Sequence, residues 1–233
     1  MGTIFNEALV RPIFNLLVFL YSSLGNDFGL AIIMATVLVR VVVSPLSIKT
    51  TRSQQALAKL NPQVEELRKK YKDDAAAQSQ AIMQLYKEHK VSPLSGCLPL
   101  LIQLPIIIAL YKALLAGFKP ESASLLYGFI SNPGTIQPIS LGFLNVTSPN
   151  HILAVVAGAF QWVQAKAAMS LQQQTPQSGT ANALSSQMLY LFPLMLVVIS
   201  WNLAAGITVY FIASAVVAVV EQWLVRRFLA TSK

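Results

Sequence analysis

The amino-acid sequence predicts an all-α, polytopic membrane protein: five transmembrane helices, an N-terminal interfacial helix and a cytosolic antiparallel helical hairpin. The first observation is composition, because 55% of the 233 residues are hydrophobic and only 11% are charged, whereas soluble domains carry about 25% charged residues. The second is a series of apolar segments of about 20 residues, the length that a membrane span needs. The third is a single basic stretch between the first two of these segments.

The N-terminal region, residues 1–27, contains a two-faced helical pattern between residues 5 and 21. Apolar side chains recur at helical spacing on one face and polar side chains occupy the other, which favours a helix lying in the membrane interface on the extracytoplasmic side. A sixth span is the alternative, which Pro12 and the polar residues disfavour. The segment has no basic start and no small-residue cleavage site, so we do not expect a signal peptide.

Five apolar segments have the length and composition of membrane spans. Pro105 lies in the second and Pro193 in the fourth, and each proline should kink its helix. The fourth and fifth spans have almost no residues between them, which predicts a tight antiparallel hairpin. The predicted spans are residues 28–46, 94–118, 151–171, 184–201 and 203–225.

The distribution of basic residues predicts the orientation of these spans. Nine of the 17 Lys and Arg residues fall between Lys49 and Lys90, whereas the long segment 119–150 holds only Lys119. Because Lys and Arg accumulate in cytoplasmic loops, residues 47–93 and the tail 226–233 are predicted to be cytosolic. The same rule places the N-terminus and the 119–150 loop outside, and the short loop 172–183 in the cytosol.

The pattern of residues in the basic stretch 47–93 predicts a helical hairpin. Asn61-Pro62 resembles the N-cap and first position of one helix, and Asp73 and Asp74 can begin a second helix that ends before Pro93. The predicted hairpin carries a group of basic residues that we expect to meet partners: Lys59, Arg68, Lys69, Lys70 and Lys72.

No catalytic motif is present in the sequence. The single cysteine, Cys97, excludes an internal disulfide framework and any multi-cysteine metal site. We find no HExxH, GxSxG or glycine-rich phosphate loop. The sequence therefore predicts a protein that is not an enzyme and has no metal or cofactor, so that its work comes from binding energy, a gradient or a partner.

The most informative residue is Arg40, which interrupts the aliphatic run VLVRVVVSPL (37–46) inside the first span. Arginine stays charged in proteins, and placing it at the centre of a bilayer costs roughly 2.5–3.5 kcal/mol. The spans offer no acid as its partner except the distant Glu221. We therefore predict a hydrated groove open to the cytosol; the alternative is an Arg40 side chain that snorkels to the cytosolic face. The candidate groove residues are Arg40, Gln103, Gln161, Tyr190 and Tyr210.

Four sequence features together resemble the YidC membrane protein insertase family, which has mitochondrial and chloroplast relatives. The most specific is the run SPLSGCLPLLIQLPIIIALYKAL (92–114), which is similar to the family's second-span signature. Arg40 matches an arginine in the family's first core span. The segments LNPQVEELRKKYKDD (60–74) and MQLYKEH (83–89) are similar to its cytosolic hairpin, and AAGITVYF (204–211) to its last tight turn.

The chain also departs from the family pattern. It has Ser92-Pro93 where the family often has Asn-Pro, and Ala204 where the family often has proline. We expect the protein to have neither the large extracytoplasmic domain of some Gram-negative members nor the long basic C-terminal tail of the mitochondrial ones.

The resemblance implies an insertase and chaperone of the bacterial plasma membrane that moves new membrane proteins into the lipid bilayer without hydrolysing nucleotide itself. The implied partners are nascent membrane protein clients, the ribosome or the signal recognition receptor, the Sec translocon and membrane lipids. No nucleic acid other than ribosomal RNA is expected as a partner. Two alternatives stay open: a small anion channel or transporter that uses Arg40, and a scaffold subunit whose hairpin docks a partner.

Overall fold

The computed structural model describes residues 2–92, 98–172 and 180–231. The chain is mostly helical and its only strands within these residues are the two-residue strands β1 (Ile139–Ser140) and β2 (Leu144–Asn145), paired antiparallel. The predicted all-α fold class is confirmed. The helices are α1 (Gly2–Phe5), α2 (Arg11–Ser23), α3 (Phe28–Lys70), α4 (Ala75–Glu88), α5 (Leu98–Gly117), α6 (His151–Gln172), α7 (Thr180–Ser200) and α8 (Ala205–Thr231).

Four helical segments in the described residues are long and apolar enough to cross a membrane, judged by length and composition. They are Thr3–Ser23, Phe28–Lys70, His151–Ser170 and Ala205–Val225, and two shorter apolar helical segments, Leu101–Gly117 and Leu189–Ser200, accompany them. The N-terminal segment meets the same criterion as the others, so its placement in the interface stays a prediction.

Helix α3 is longer than the sequence predicted. It runs without a break through Pro45 and Pro62, so the helix start expected at Asn61-Pro62 is wrong. Proline removes one helical hydrogen bond and costs about 3 kcal/mol, but Ala58, Leu60 and Val64 are buried on both sides of Pro62, and this packing favours a continuous helix. Its 43 residues extend about 65 Å, roughly twice the hydrocarbon thickness of a bilayer.

The hairpin therefore consists of the end of α3 and the whole of α4. Asp74 begins α4 as its N-cap, since its carboxylate accepts hydrogen bonds from the backbone N–H groups of Ala76 and Ala77 at 3.0 and 2.9 Å. The Gln78 amide donates to the carbonyl of Arg68 at 3.2 Å and thereby ties α4 to the end of α3.

The largest buried cluster lies where α2, α3, α5 and the start of α8 meet. Gly206, the second residue of α8, makes this approach possible: a Cβ there would lie 2.5 Å from Leu114 Cδ1 on α5 and 3.0 Å from Ile32 Cδ1 on α3. Helices α6 and α7 pack on the other side, where a Cβ on Gly158 would lie 2.3 Å from Val197 Cγ2. Helix α6 in turn packs against α8.

The connection between α5 and α6, residues 118–150, forms what we call the cap loop. Asn15 on α2 is buried and holds this loop in place: its amide donates to the Leu125 carbonyl at 2.9 Å and its oxygen accepts from the Tyr127 N–H at 2.7 Å. The Tyr21 hydroxyl accepts from the Gln137 N–H at 3.0 Å. The cap loop is thus bound to the helices by specific polar contacts.

Candidate functional site

Arg40 lies deep in the helical bundle. It follows Phe28, the first residue of α3, by twelve positions, which is about 18 Å along the helix. Its side chain is half-buried and directed to α8, where its Nε donates to the Ser214 hydroxyl at 2.9 Å and its Nη2 donates to the same oxygen. The next two residues, Val41 and Val42, are exposed, so one helical turn presents a cation to a neighbouring helix and aliphatic side chains to the surroundings.

The Arg40 side chain extends sideways and not along its own helix. Gly206 is packed against Ile32, and Ser214 and Arg40 each follow these two residues by eight positions. Because the pairs Gly206–Ile32 and Ser214–Arg40 are both in contact, α3 and α8 run in the same direction, and Ser214 lies directly beside Arg40.

Two further polar side chains continue the contact from α8 to α5. The Gln103 amide donates to the Tyr210 hydroxyl at 2.5 Å, and this hydroxyl also interacts with Ser214, one helical turn away. Tyr210 and Ser214 are both buried. We call Arg40, Gln103, Tyr210 and Ser214 the polar seam, because they connect three apolar helices through one row of hydrogen-bonding groups.

The charge of Arg40 has no matching carboxylate within contact distance. Among the described residues, Arg40 forms no ion pair. Glu221 is close enough for the two charges to interact, but its Oε1 atom is buried without a hydrogen-bond partner in the described part of the chain. Buried charges in proteins are usually paired, so a lone guanidinium held by a neutral hydroxyl is an unusual arrangement.

The structure brings three of the five predicted groove residues together: Arg40, Gln103 and Tyr210. Gln161 is half-buried on α6, and Tyr190 is 64% exposed on α7. Within residues 2–92, 98–172 and 180–231, neither side chain hydrogen-bonds to the seam. Ser214 is the member of the polar seam that the sequence reasoning missed; the signal was its spacing of four from Tyr210, which puts both on one helix face.

The basic residues predicted for recruitment, Lys59, Arg68, Lys69, Lys70 and Lys72, are all exposed. They lie on the last turns of α3 and just beyond it, far from Arg40 along the same helix. The Lys70 ammonium also lies 5.4 Å from the centre of the Tyr71 ring. The surface they form is accessible to a large partner.

No metal-binding group of three or more His, Cys, Asp or Glu side chains occurs among the residues that the structure describes. A cavity of about 320 Å³ is present, but it lies under the cap loop, with Phe14, Val18, Phe118 and Ile136 in its walls. It contains none of the predicted site residues and is separate from the polar seam.

Comparison with known proteins decides the family. The family model described as 60Kd inner membrane protein matches residues 19–232. The chain belongs to this family. The membrane protein insertase YidC of Fusobacterium nucleatum is 34% identical over 203 residues, which is 87% of each chain. The protein of the same name from Nitratidesulfovibrio vulgaris is 32% identical over 219 residues, covering 94% of this chain and 38% of the longer relative.

The structural comparison agrees with this family. The chain is similar to a solved structure described as an active YidC insertase with its first transmembrane domain resolved, with a TM-score of 0.56 and 25% sequence identity. The similarity covers 90% of this chain and 45% of the solved one. The resemblance to the YidC family is therefore confirmed, and the chain is a multi-pass inner membrane protein.

Proposed function

We propose that this protein is a membrane protein insertase whose clients enter through a groove that contains the polar seam, with Arg40 as the attracting charge. The names of its relatives support the insertase activity. The single observation that supports the role of Arg40 is its charge: it is held by the neutral Ser214 hydroxyl and forms no ion pair within the described residues.

The energetics of insertion explain why such a charge helps. A client span of about 20 apolar residues gains roughly 6–12 kcal/mol on entering lipid, at about 0.3–0.6 kcal/mol per residue. The barrier is the polar or acidic flank of the span, which must cross the hydrocarbon. A hydrated groove shortens that crossing, and the attraction between two unit charges 4 Å apart is about 4 kcal/mol at an effective dielectric constant of 20.

The contact with Ser214 suits a temporary exchange of partners. A carboxylate can accept two parallel hydrogen bonds from a guanidinium and adds the attraction of its charge, whereas the Ser214 hydroxyl is neutral. A client carboxylate can therefore replace Ser214 as the acceptor for Arg40. When the client moves on, Ser214 takes Arg40 back, so the cation is never left without a hydrogen-bond acceptor. The membrane potential assists the same step with about 2.3 kcal/mol per charge per 100 mV.

In this proposal, the exposed basic end of α3 makes the first contact. Lys69, Lys70 and Lys72 receive the client from the ribosome or from the signal recognition receptor, and the protein acts alone or beside the Sec translocon. The cytosol lies on the hairpin side and the cap loop lies outside, as the distribution of basic residues indicates.

The test is reconstitution of the pure protein into liposomes with a short single-span client and no nucleotide. We expect insertion, measured as protection of the client from added protease, and greater insertion than in protein-free liposomes. A small anion channel is the second candidate, because Arg40 is the type of residue that binds an anion. It predicts anion flux through the same liposomes without any client. Flux without insertion would replace the insertase proposal by the channel.

A further inference from the structure

The tip of the β1–β2 hairpin exposes apolar side chains where a water-facing turn would carry polar ones. Leu141 is 55% exposed and Phe143 79% exposed, and Gly142 lies between them. Leu141 has a φ of +52°, a left-handed conformation that is strained for a residue other than glycine. Glycine or asparagine would fit that backbone better. A strained, exposed leucine next to an exposed phenylalanine points to a use for the side chains themselves.

The hairpin is fixed to the first turn of α3. Asp27, the N-cap of α3, accepts from the Ser140 hydroxyl at 2.5 Å and from the Leu141 N–H at 2.7 Å. Ser140 lies so close to α3 that a Cβ on Gly29 would be 2.1 Å from its Oγ. The height of the tip relative to α3 is therefore set by direct contacts.

The hairpin is also fixed to α8, through the residue that follows β2. The backbone carbonyl of Val146 accepts from the N–H of Gly206, the second residue of α8, at 2.9 Å. Trp201, the first residue after α7, stacks on His151 with ring centres 4.3 Å apart. Tryptophan is enriched where spanning helices meet the membrane surface, so the ends of α6, α7 and α8 mark that surface.

These contacts place the tip at the boundary of the bilayer. Phe143 follows Ser140 by three residues, so it lies at most about 10 Å from this residue, which contacts the start of α3 through Asp27, and its N–H donates back to the Ser140 carbonyl at 3.2 Å. The polar interfacial layer on each side of the hydrocarbon is about 5–7 Å thick. Ile152, in the first turn of α6, is also highly exposed, as expected for a side chain that faces lipid.

We propose that Leu141 and Phe143 form a membrane anchor, inserted among the lipid headgroups and upper acyl chains of the leaflet on the cap-loop side. The partner is lipid, since the tip is bound to the ends of two spanning helices and its exposed side chains are apolar. Insertion would hold the cap loop against the membrane surface and would offset the backbone strain at Leu141. The anchor is separate from the polar seam and does not depend on the proposed role of Arg40.

The test uses a cysteine placed at the tip and labelled with an environment-sensitive fluorophore. Cys97 is the only cysteine in the sequence, so Cys97→Ser provides the background for Phe143→Cys. The labelled full-length protein is reconstituted in phosphatidylethanolamine and phosphatidylglycerol vesicles. Two matched positions calibrate the signal: Val42→Cys, exposed inside the first span, and Lys72→Cys, exposed beyond the end of α3.

We expect the Phe143 label to be quenched more by lipids with a nitroxide near the headgroup than by lipids with one deep in the acyl chain, and to be shielded from aqueous iodide. The Val42 label should respond most to the deep nitroxide and the Lys72 label only to iodide. A label at Leu141→Cys should repeat the Phe143 result if Phe143→Cys does not fold. Iodide quenching in these vesicles equal to that at Lys72 would overturn the proposal. If the label were then shielded from iodide only in native membranes, the tip would be covered by a partner protein and not by lipid. Deep quenching equal to that at Val42 would overturn the interfacial placement.

Discussion

The cap-loop end of the bundle and the polar seam satisfy their buried polar groups in opposite ways. Asn15 makes three hydrogen bonds, two to the cap loop and one within α2, and the Asp27 carboxylate accepts from Leu30, Ser140 and Leu141 among others. In the seam, Arg40 has a neutral acceptor and no ion pair among the described residues. Buried polar groups whose hydrogen bonds are all formed make a structure rigid, whereas a cation without an ion-pair partner is available to a ligand. In the proposed function the first region therefore serves stability, and the second is the one that contacts the client.

The largest effect should come from Arg40→Ala. Loss of the charge removes the attraction for an acidic client flank, worth a few kcal/mol at contact, and we expect insertion of single-span clients with acidic tails to fall by at least about tenfold, since 1.4 kcal/mol is tenfold. Arg40→Lys should retain much of the activity. Arg52→Ala, which removes an exposed cation from the same helix, is the matched control and should insert normally. An Arg40→Ala protein with unchanged activity on these clients would mean that the groove does not use this charge.

Next in size is Asn15→Leu, which acts on the other region. It leaves the Tyr127 N–H without its partner and removes one of the two donors to the Leu125 carbonyl, which keeps the Arg11 side chain, and we expect a loss of unfolding free energy of about 1–3 kcal/mol. Thermal unfolding in detergent measures it. Insertion should fall only in proportion to the loss of folded protein, and it should therefore fall equally for acidic and neutral clients. A selective loss for acidic clients would blur the distinction between the two regions.

Asp27→Asn should have a smaller effect that depends on pH. Burial alone would raise the pKa of Asp27, but hydrogen bonds from Ser140, Leu141, Leu30 and Gly29 together hold its pKa below the ordinary value of 3.8. Because the folded-state pKa is the lower one, the stabilisation is complete above the ordinary value and is lost as the pH falls through the folded-state value. We expect Asp27→Asn to cost about 1 kcal/mol at neutral pH, as for the loss of an N-cap, and to make stability less dependent on pH below about 4.

The measurement is denaturant unfolding of both proteins at neutral and acidic pH. Equal loss of stability by Asp27→Asn and the parent protein across the acidic range would show that other carboxylates determine the acid response.

The smallest effect should be that of Ser214→Ala, a positioning residue for Arg40. It removes one hydrogen-bond acceptor but leaves the guanidinium charge of Arg40 in place, so we expect a few-fold loss of insertion for acidic-tailed clients and no loss for neutral ones. Ser214→Thr keeps the hydroxyl and should restore insertion. Equal losses for Ala and Thr, or for both client types, would indicate a packing role for Ser214.

Much of this fold follows from periodicity and composition alone. The apolar segments, the basic stretch and the Asp74 helix start are local properties of the sequence, so local reasoning finds them. The continuity of α3 through Pro62 is different, because it depends on the burial of Ala58, Leu60 and Val64, which propensity does not include. The energetic cost of Pro62 is a local property of the helix, and the packing of the residues on both sides of it outweighs this cost.

The candidate site was predictable in part for the same reason. Arg40, Gln103 and Tyr210 are conspicuous because polar groups in spans are expensive. Ser214 is small and common in membrane helices, and its importance appears only when α3 and α8 are placed side by side. Tyr190 is exposed because α7 packs chiefly on α6, and no periodicity in the sequence reveals which helices become neighbours.

The central claim is that the uncompensated charge of Arg40 serves the client and not the fold. The most direct test is a double-mutant cycle in liposomes, which combines Arg40 or Arg40→Ala with a client whose flank carries aspartate or its asparagine counterpart. We predict strong coupling: Arg40→Ala should reduce insertion of the aspartate client at least about tenfold, or about 1.4 kcal/mol, and leave the asparagine client nearly unchanged. Equal losses for the two clients would contradict the claim and would make Arg40 a structural residue.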